Sequence, residues 1–434
     1  MSEHRRDRLR VLLAPDSFKG SLSSVEVARA LAEGWARARP DDELIPAPLA
    51  DGGEGTLAAI AETGGWEWQE CPAHDPLGRP LTARWLLSAD GTRAAVELAE
   101  ASGLSRLPDG EPRSPIAATT EGTGEILQAV LDAGVRHVLL GVGGSATTDG
   151  GSGLLHALGV WYRGSSGGRL PGPIPDLAAV DLAALDPRLR ELELRIACDV
   201  TNPLLGEQGA AAVYAPQKGA WPEDVAALEE WLTHYADLLE TAAATRARDI
   251  PGAGAAGGTS FGLLCLAPRM RSFELVPGID VVMQETGFDD RMATADLVIT
   301  GEGRIDEQTA YGKTALGVAR CAAKADVPCL AVGGGVTPEG AEVLAAAGAL
   351  AVPVLDRPMT LEDAMSQAAP LVALAGERLA RLVEVGTVVG DRRSARIATD
   401  EAGGGGTVAR GAVAGGTVAR GARSGEANPR GRSA

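Results

Sequence analysis

The apolar positions of this chain fall into two textures. Near the start, Leu9–Ala14 is a short continuous apolar run that ends in Asp16-Ser17-Phe18-Lys19-Gly20-Ser21. Such a run predicts a buried strand with a loop at its carboxyl end. Ser23 and Glu26 then form a capping box, and Ala28, Leu31 and Trp35 share one helical face, so a helix follows. Leu44–Pro48 repeats the pattern and ends at Ala50-Asp51-Gly52-Gly53-Glu54-Gly55-Thr56, ahead of another helix. Strand, loop and helix in alternation predict a parallel sheet.

The texture changes from about Gly65 to Leu98. Trp66–Cys71, Leu81–Leu87 and Ala94–Leu98 read as closely spaced strands, with Asp75-Pro76-Leu77-Gly78 as a turn. A helix with Ile126, Leu127, Val130 and Leu131 on one face closes at Gly134. Strand His137–Leu140 and the loop Gly141–Gly151 come next, then a Gly/Pro/Ser loop at Arg163–Pro175 and a long helix at Pro222–Ala244. This middle part reads as a second, mixed domain.

From Ala293 the first texture returns. Strand Asp296–Thr300 leads into Gly301-Glu302-Gly303-Arg304-Ile305-Asp306-Glu307 and a helix, followed by strand Cys329–Val332, a helix, strand Leu350–Val354 and a last helix from Thr360. The simplest assembly joins residues 8–64 and 290–388 into one discontinuous α/β domain, with 65–289 inserted as a mixed α/β domain. Residues 390–434 read as a disordered Gly/Ala/Arg-rich tail. Within it Gly405–Ala412 and Gly415–Ala422 repeat the same eight residues, which is low complexity and not a solenoid.

Bulk composition narrows the classes. With 434 residues, 45% hydrophobic positions and 57 glycines, the chain is long enough for two sizeable cores and reads as soluble α/β. A net charge of −18 argues against a nucleic-acid or anionic-membrane surface. The five cysteines (Cys71, Cys198, Cys265, Cys321, Cys329) lack C-x-x-C spacing, which favours reduced thiols in the cytoplasm. The run Val11–Ala14 is too short for a signal-peptide core, and no segment approaches a membrane span.

Only four of the 40 basic residues are lysine: Lys19, Lys218, Lys313 and Lys324. Three stand beside glycine, where a compact ammonium on a flexible backbone suits a phosphate. Lys324 does not, and reads as a leftover of composition. Gly141-Val142-Gly143-Gly144-Ser145-Ala146 matches a dinucleotide fingerprint with alanine last, but no acid occurs between Gly150 and Pro175 to hold a ribose. Its continuation, Thr147-Thr148-Asp149-Gly150-Gly151, offers hydroxyls and backbone N–H groups to an anion. Gly312-Lys313-Thr314 resembles the end of a P-loop, yet Glu307 stands where the motif needs glycine. The acids Asp16, Asp51, Glu54, Asp149, Asp199, Glu302 and Asp306 suit phosphoryl transfer, which needs Mg²⁺ ligands plus a carboxylate near the attacking hydroxyl, though acids beside glycine also serve as turn formers or helix caps.

Eight ordered blocks carry a resemblance. They are Ala14–Ser21, Ala50–Thr56, Gly122–Glu125, Gly143–Gly151, Cys198–Leu204, Ala215–Ala220, Gly254–Gly258 and Ile299–Asp306. In these the chain resembles the glycerate kinase type 1 family, the bacterial glycerate 2-kinase-like enzymes, from about Val11 to about Leu382. The resemblance implies the glycerate kinase I fold: a discontinuous Rossmann-like parallel-sheet domain, an inserted mixed α/β domain and a cleft between them. It implies ATP-dependent, Mg²⁺-assisted phosphorylation of D-glycerate, with 2-phosphoglycerate favoured over 3-phosphoglycerate. A kinase for another small hydroxy or sugar acid, or a ligand sensor without catalysis, would share these motifs. Asp16, Lys19, Asp199 and Lys313 are the catalytic candidates. Ser17, Ser21, Asp51, Glu54, Ser145, Thr147, Asp149, Asn202 and Lys218 are the substrate- or phosphate-binding ones, and Glu302 and Asp306 the metal ligands. Expected partners are D-glycerate and ATP, with no nucleic acid or membrane, in a cytoplasmic monomer or homodimer. Thr148, where many members have asparagine, and Glu307, where glycine is usual, depart from the family pattern.

Overall fold

The computed structural model describes residues 8–108, 113–165, 169–170, 176–307, 309 and 314–403. Lys313 lies outside them, as do residues 404–434. The chain divides into a unit spanning Met1–Arg381 and a second spanning Leu382–Ala434.

Among the described residues fourteen strands run in chain order. They are β1 (Arg10–Pro15), β2 (Glu43–Pro46), β3 (Trp66–His74), β4 (Pro80–Ser88), β5 (Arg93–Glu97), β6 (His137–Gly141), β7 (Trp161–Gly164), β8 (Arg169–Leu170), β9 (Leu177–Asp181), β10 (Glu193–Ala197), β11 (Ser272–Val276), β12 (Leu297–Ile305), β13 (Cys329–Val336) and β14 (Ala349–Pro353). A five-stranded parallel sheet has the order β14-β13-β12-β1-β2. The two ends of the first unit therefore share one sheet, with Pro15 of β1 opposite Gly301 of β12. A mixed six-stranded sheet has the order β11-β10-β6-β5-β4-β3; its first four strands are parallel and β4 and β3 antiparallel. The fold class expected from the alternating pattern, α/β with one parallel and one mixed sheet, is the one observed.

Local signals explain the framework. Ser23 and Glu26 make the capping box of the helix Ser24–Ala38, whose Leu31 and Trp35 are fully buried. One core surrounds β10 and β6 with Ile196, Leu140 and Phe261, and another surrounds β1 and β12 with Leu12, Val298 and Ile305. A smaller cluster of Leu57, Ile60, Leu86, Ala95, Leu139, Ala197 and Val281 joins the helices Thr56–Glu62 and Gly278–Glu285 to the six-stranded sheet.

Three expectations change. Part of the stretch read as a loop at Arg163–Pro175 is strand, because β7 pairs with β8 and β9 in an antiparallel sheet. Its glycines and serines conceal pairing that Leu177–Asp181 supplies from a distance. β12 runs on to Ile305 rather than stopping at Thr300. Its Gly-Glu-Gly-Arg pairs with the glycines of β13, Glu302 opposite Gly333 and Arg304 opposite Gly335; two glycine-rich strands lie close together where each alone reads as loop. Finally, the last helix, Ala368–Gly403, continues beyond Gly390. No helix among the described residues is long and apolar enough to cross a membrane.

Candidate active site

The register of the six-stranded sheet places Glu97, Gly141, Ala197 and Val276 in one row at the carboxyl ends of β5, β6, β10 and β11. Ligands of parallel α/β sheets lie just beyond such ends. The loop after β2, Asp51–Gly55, is pressed onto this row. Gly143 donates its N–H to Gly52 O at 3.3 Å. A Cβ on Gly143 would collide with the Gly53 backbone, and one on Gly278 with the Asp51 carbonyl. Glycine is required at both positions by backbone-on-backbone contact.

Four carboxylates meet there. Asp16 follows β1 and donates its own N–H to Gly301 O at 2.8 Å. Its Oδ1 accepts from Ser17 N at 2.6 Å and its Oδ2 from Thr314 Oγ1 at 2.6 Å. Burial, then the charge of Asp51, pushes its carboxyl up to about 6 against these hydrogen bonds. Asp199 follows β10, and its Oδ1 accepts from Gly278 N at 2.7 Å. Partial desolvation, with repulsion from Asp51, Asp280 and Asp16, lifts it to about 6 as well, although the residue keeps a solvent-exposed face. The Oδ2 of Asp199 makes no hydrogen bond among the described residues. Asp51 itself is exposed and accepts from Gly53 N at 3.2 Å. One carboxylate with an anchored and an open oxygen, inside a cluster that raises its basicity, is what proton abstraction from a hydroxyl needs.

Lys19 is exposed on the turn that follows Asp16, and its ammonium makes no hydrogen bond or ion pair among the described residues. Ser17 also hydrogen-bonds Asp16 through its side chain, whereas Ser21 Oγ donates to Phe18 O at 2.9 Å and closes the turn. Glu54 is exposed and stands beside Gly144. Glu302 and Asp306, at the end of β12, are linked through Thr309. Its hydroxyl donates to Glu302 Oε1 at 2.7 Å and accepts from Asp306 N at 3.1 Å. Arg304 pairs with Asp306 at 3.0 Å. No group of three or more His, Cys, Asp or Glu among the described residues could hold a metal ion unaided.

Other candidates turn inward. Asp149 is 1% exposed and accepts from Thr120 N, Thr120 Oγ1, Gly151 N and Gly153 N at 2.8–3.1 Å. It builds the loop from within, where its burial raises its pKa. Lys218 is 3% exposed, and its Nζ donates to Ser145 Oγ at 2.8 Å and Thr147 O at 2.5 Å. Burial pulls its amine down to about 7, partly offset by the charge of Asp149. The ammonium therefore grips the 143–151 loop from behind, leaving Ser145 on the loop it shapes. The Thr147 and Thr148 hydroxyls are buried without a hydrogen-bond partner among the described residues. Asn202 spends both ends of its amide, donating to Gln208 O at 2.8 Å and accepting from Tyr214 OH at 2.6 Å.

A family model described as the glycerate kinase family matches residues 11–384. The chain is 41% identical over 374 residues to a glycerate kinase of Halalkalibacterium halodurans, covering 85% of this chain and 97% of that one. The chain belongs to the glycerate kinase family. A glycerate 2-kinase of Escherichia coli K12 is 38% identical over 382 residues, 87% of this chain and 99% of its own. A glycerate kinase 2 crystal structure from Salmonella typhimurium LT2 superposes with a TM-score of 0.75 at 40% identity, covering 88% of this chain and all of that one. This member of the glycerate kinase family is accordingly an enzyme, and a kinase.

Three residues of this kinase have no site role in the sequence pattern. Asp280 joins the acid cluster from the first turn of the helix Gly278–Glu285; a glycine and an acid just after a strand is the signal that singled out the other loops. Thr314 fixes Asp16 across 298 positions of sequence, which no local pattern reveals. Glu97, at the end of β5, is 4% exposed and belongs to no glycine loop.

Proposed function

We propose that this enzyme transfers the γ-phosphoryl group of ATP to the 2-hydroxyl of D-glycerate, giving 2-phosphoglycerate and ADP. The observation that carries the reading is Asp199: a solvent-exposed carboxylate, one oxygen held by the Gly278 N–H and the other open, raised to about 6 amid Asp51, Asp280 and Asp16. Asp199 takes the proton of the attacking hydroxyl as the new O–P bond forms and the bond from the γ-phosphorus to ADP breaks. Asp16, with both oxygens engaged, positions the loop that carries Lys19. Lys19, and Lys313 beyond the described residues, supply positive charge to the transferred phosphoryl or the substrate carboxylate.

Glu302 and Asp306, hard oxygen donors tied together by Thr309, fit Mg²⁺ held directly or through water. Held by Glu302 and Asp306, Mg²⁺ would supply charge neutralisation to the triphosphate. The reading takes residues 8–64 with 290–388, and 65–289, as two domains flanking the substrates. The sheet membership supports this, since β1, β2 and β12–β14 form one sheet and β3–β6 with β10 and β11 the other. The enzyme would act in the cytoplasm, as a monomer or homodimer. The test is a coupled assay of ADP release with a panel of hydroxy acids, ATP and Mg²⁺. D-glycerate is expected to give the highest kcat/KM, and ADP release no higher than background with D-glycerate would overturn the proposal.

A further inference from the structure

The residue that ends β5 links the acid cluster to the six-stranded sheet. Glu97 stands level with Gly141 and Ala197 in the row of strand ends. Its Oε1 accepts from Leu57 N at 2.6 Å, and its carboxyl also takes a hydrogen bond from the Gly55 N–H. Leu57 belongs to the helix Thr56–Glu62, whose N-terminal Gly55 sits at φ 96° and provides no side-chain cap. A carboxylate 40 positions away in sequence therefore does the capping. The residues it holds are the end of the Asp51–Gly55 loop. Around it, Gly141 packs against both Gly52 O and the Glu97 side chain, and Leu57 and Ile60 bury into the cluster with Leu86 and Val281.

We propose that Glu97 is a positioning residue of the reaction: its carboxylate fastens the Asp51–Gly55 loop to the six-stranded sheet and thereby sets where Asp51 stands among Asp16, Asp199 and Asp280. This rests on the assignment of that cluster to the reacting centre. Among the described residues Glu97 has no ion pair. The charged groups that face it are Glu100, itself paired with Arg84 and Arg106, and Glu54 on the loop. Burial, reinforced by those two acids, pushes its carboxyl up to about 7 against the two backbone hydrogen bonds. The ionised form, which accepts from both N–H groups, is thus lost as pH falls through neutrality.

The test is a double-mutant cycle of Glu97→Gln and Asp51→Asn, read as kcat and KM for D-glycerate, with amide hydrogen exchange over residues 51–58. Glu97→Gln is expected to lower kcat about tenfold at pH 8, with little change in KM. The deficit should narrow toward pH 6, where the wild-type carboxyl is itself protonated. Exchange should quicken at Gly55 and Leu57. In the Asp51→Asn background, Glu97→Gln should add little. If Asp51→Asn alone leaves turnover unchanged, the assignment of the cluster fails. If Asp51→Asn is impaired while Glu97→Gln acts at full strength on top of it, or leaves kcat unchanged at pH 8, the inference about Glu97 fails. Should Glu97→Gln not fold, the wild-type enzyme still decides. Protection of the Gly55 and Leu57 amides, corrected for intrinsic rates, should be greater at pH 8 than at pH 6, and equal protection would overturn the proposal.

Discussion

Asp199→Asn should lower kcat by roughly a thousandfold, within the range a positioned general base contributes, while making the folded protein more stable at neutral pH. Both effects have the same cause. The amide keeps the shape of the side chain and can still accept from the Gly278 N–H, but it carries neither the charge nor the basicity. In the wild-type enzyme the Asp199 carboxyl is raised from 3.8 to about 6. The folded state therefore binds a proton more tightly than the unfolded chain, and loses stability as pH rises between those values. Above pH 6 the cost of holding that charge among Asp51, Asp280 and Asp16 is present, reduced by solvent screening because Asp199 is exposed. The gain in melting temperature for Asp199→Asn should be larger at pH 8 than at pH 5. In the wild type, kcat/KM should fall on the acid side with an apparent pKa near 6 that belongs to the cluster. Wild-type turnover by Asp199→Asn would remove it as the base, and a variant less stable than wild type at pH 8 would contradict the electrostatic reading.

Lys19→Arg should cost about a hundredfold in kcat/KM, the scale of a small misplacement at a reacting centre, and leave the melting temperature unchanged. Lys19 is exposed and makes no hydrogen bond or ion pair among the described residues, so exchanging one cation for another removes little that folding needs. What changes is the shape of the charge. A guanidinium is a broad planar fork, whereas the turn after Asp16 is narrow, with Gly20 at φ 79° against Met365. Lys324→Arg, near the end of the helix Thr314–Ala325, is the control and should be silent. A Lys19→Arg enzyme within threefold of wild type would show that its charge alone matters or that it does not touch the reaction.

The strands and helices were largely legible because their signals are local. The capping box at Ser23, the apolar face of Leu31 and Trp35, and the glycine-and-acid loops after β1 and β2 can all be read within a dozen residues. Those two loops hold Asp16 and Asp51, and the fold brings Asp199, noted as an acid of the Cys198–Leu204 block, into one cluster with them. Orientation was not legible. Lys218 and Asp149 carry the same glycine-flanked signature as Lys19 and Asp51, yet the structure turns them inward as struts of the 143–151 loop. Glycine lets a backbone approach a phosphate, and equally lets it approach another backbone, as Gly143 and Gly278 do. Asp280 went unread because β11 before it, Ser-Phe-Glu-Leu-Val at the sheet edge, lacks the continuous apolar run of a central strand.

Phosphorus NMR of the product formed from D-glycerate, ATP and Mg²⁺ distinguishes transfer to the 2-hydroxyl from transfer to the 3-hydroxyl. One new phosphomonoester coupled to the single proton on carbon 2 is expected, together with ADP in equal amount. A resonance coupled instead to the two protons on carbon 3, or ADP without any phosphoglycerate, would contradict transfer to the 2-hydroxyl.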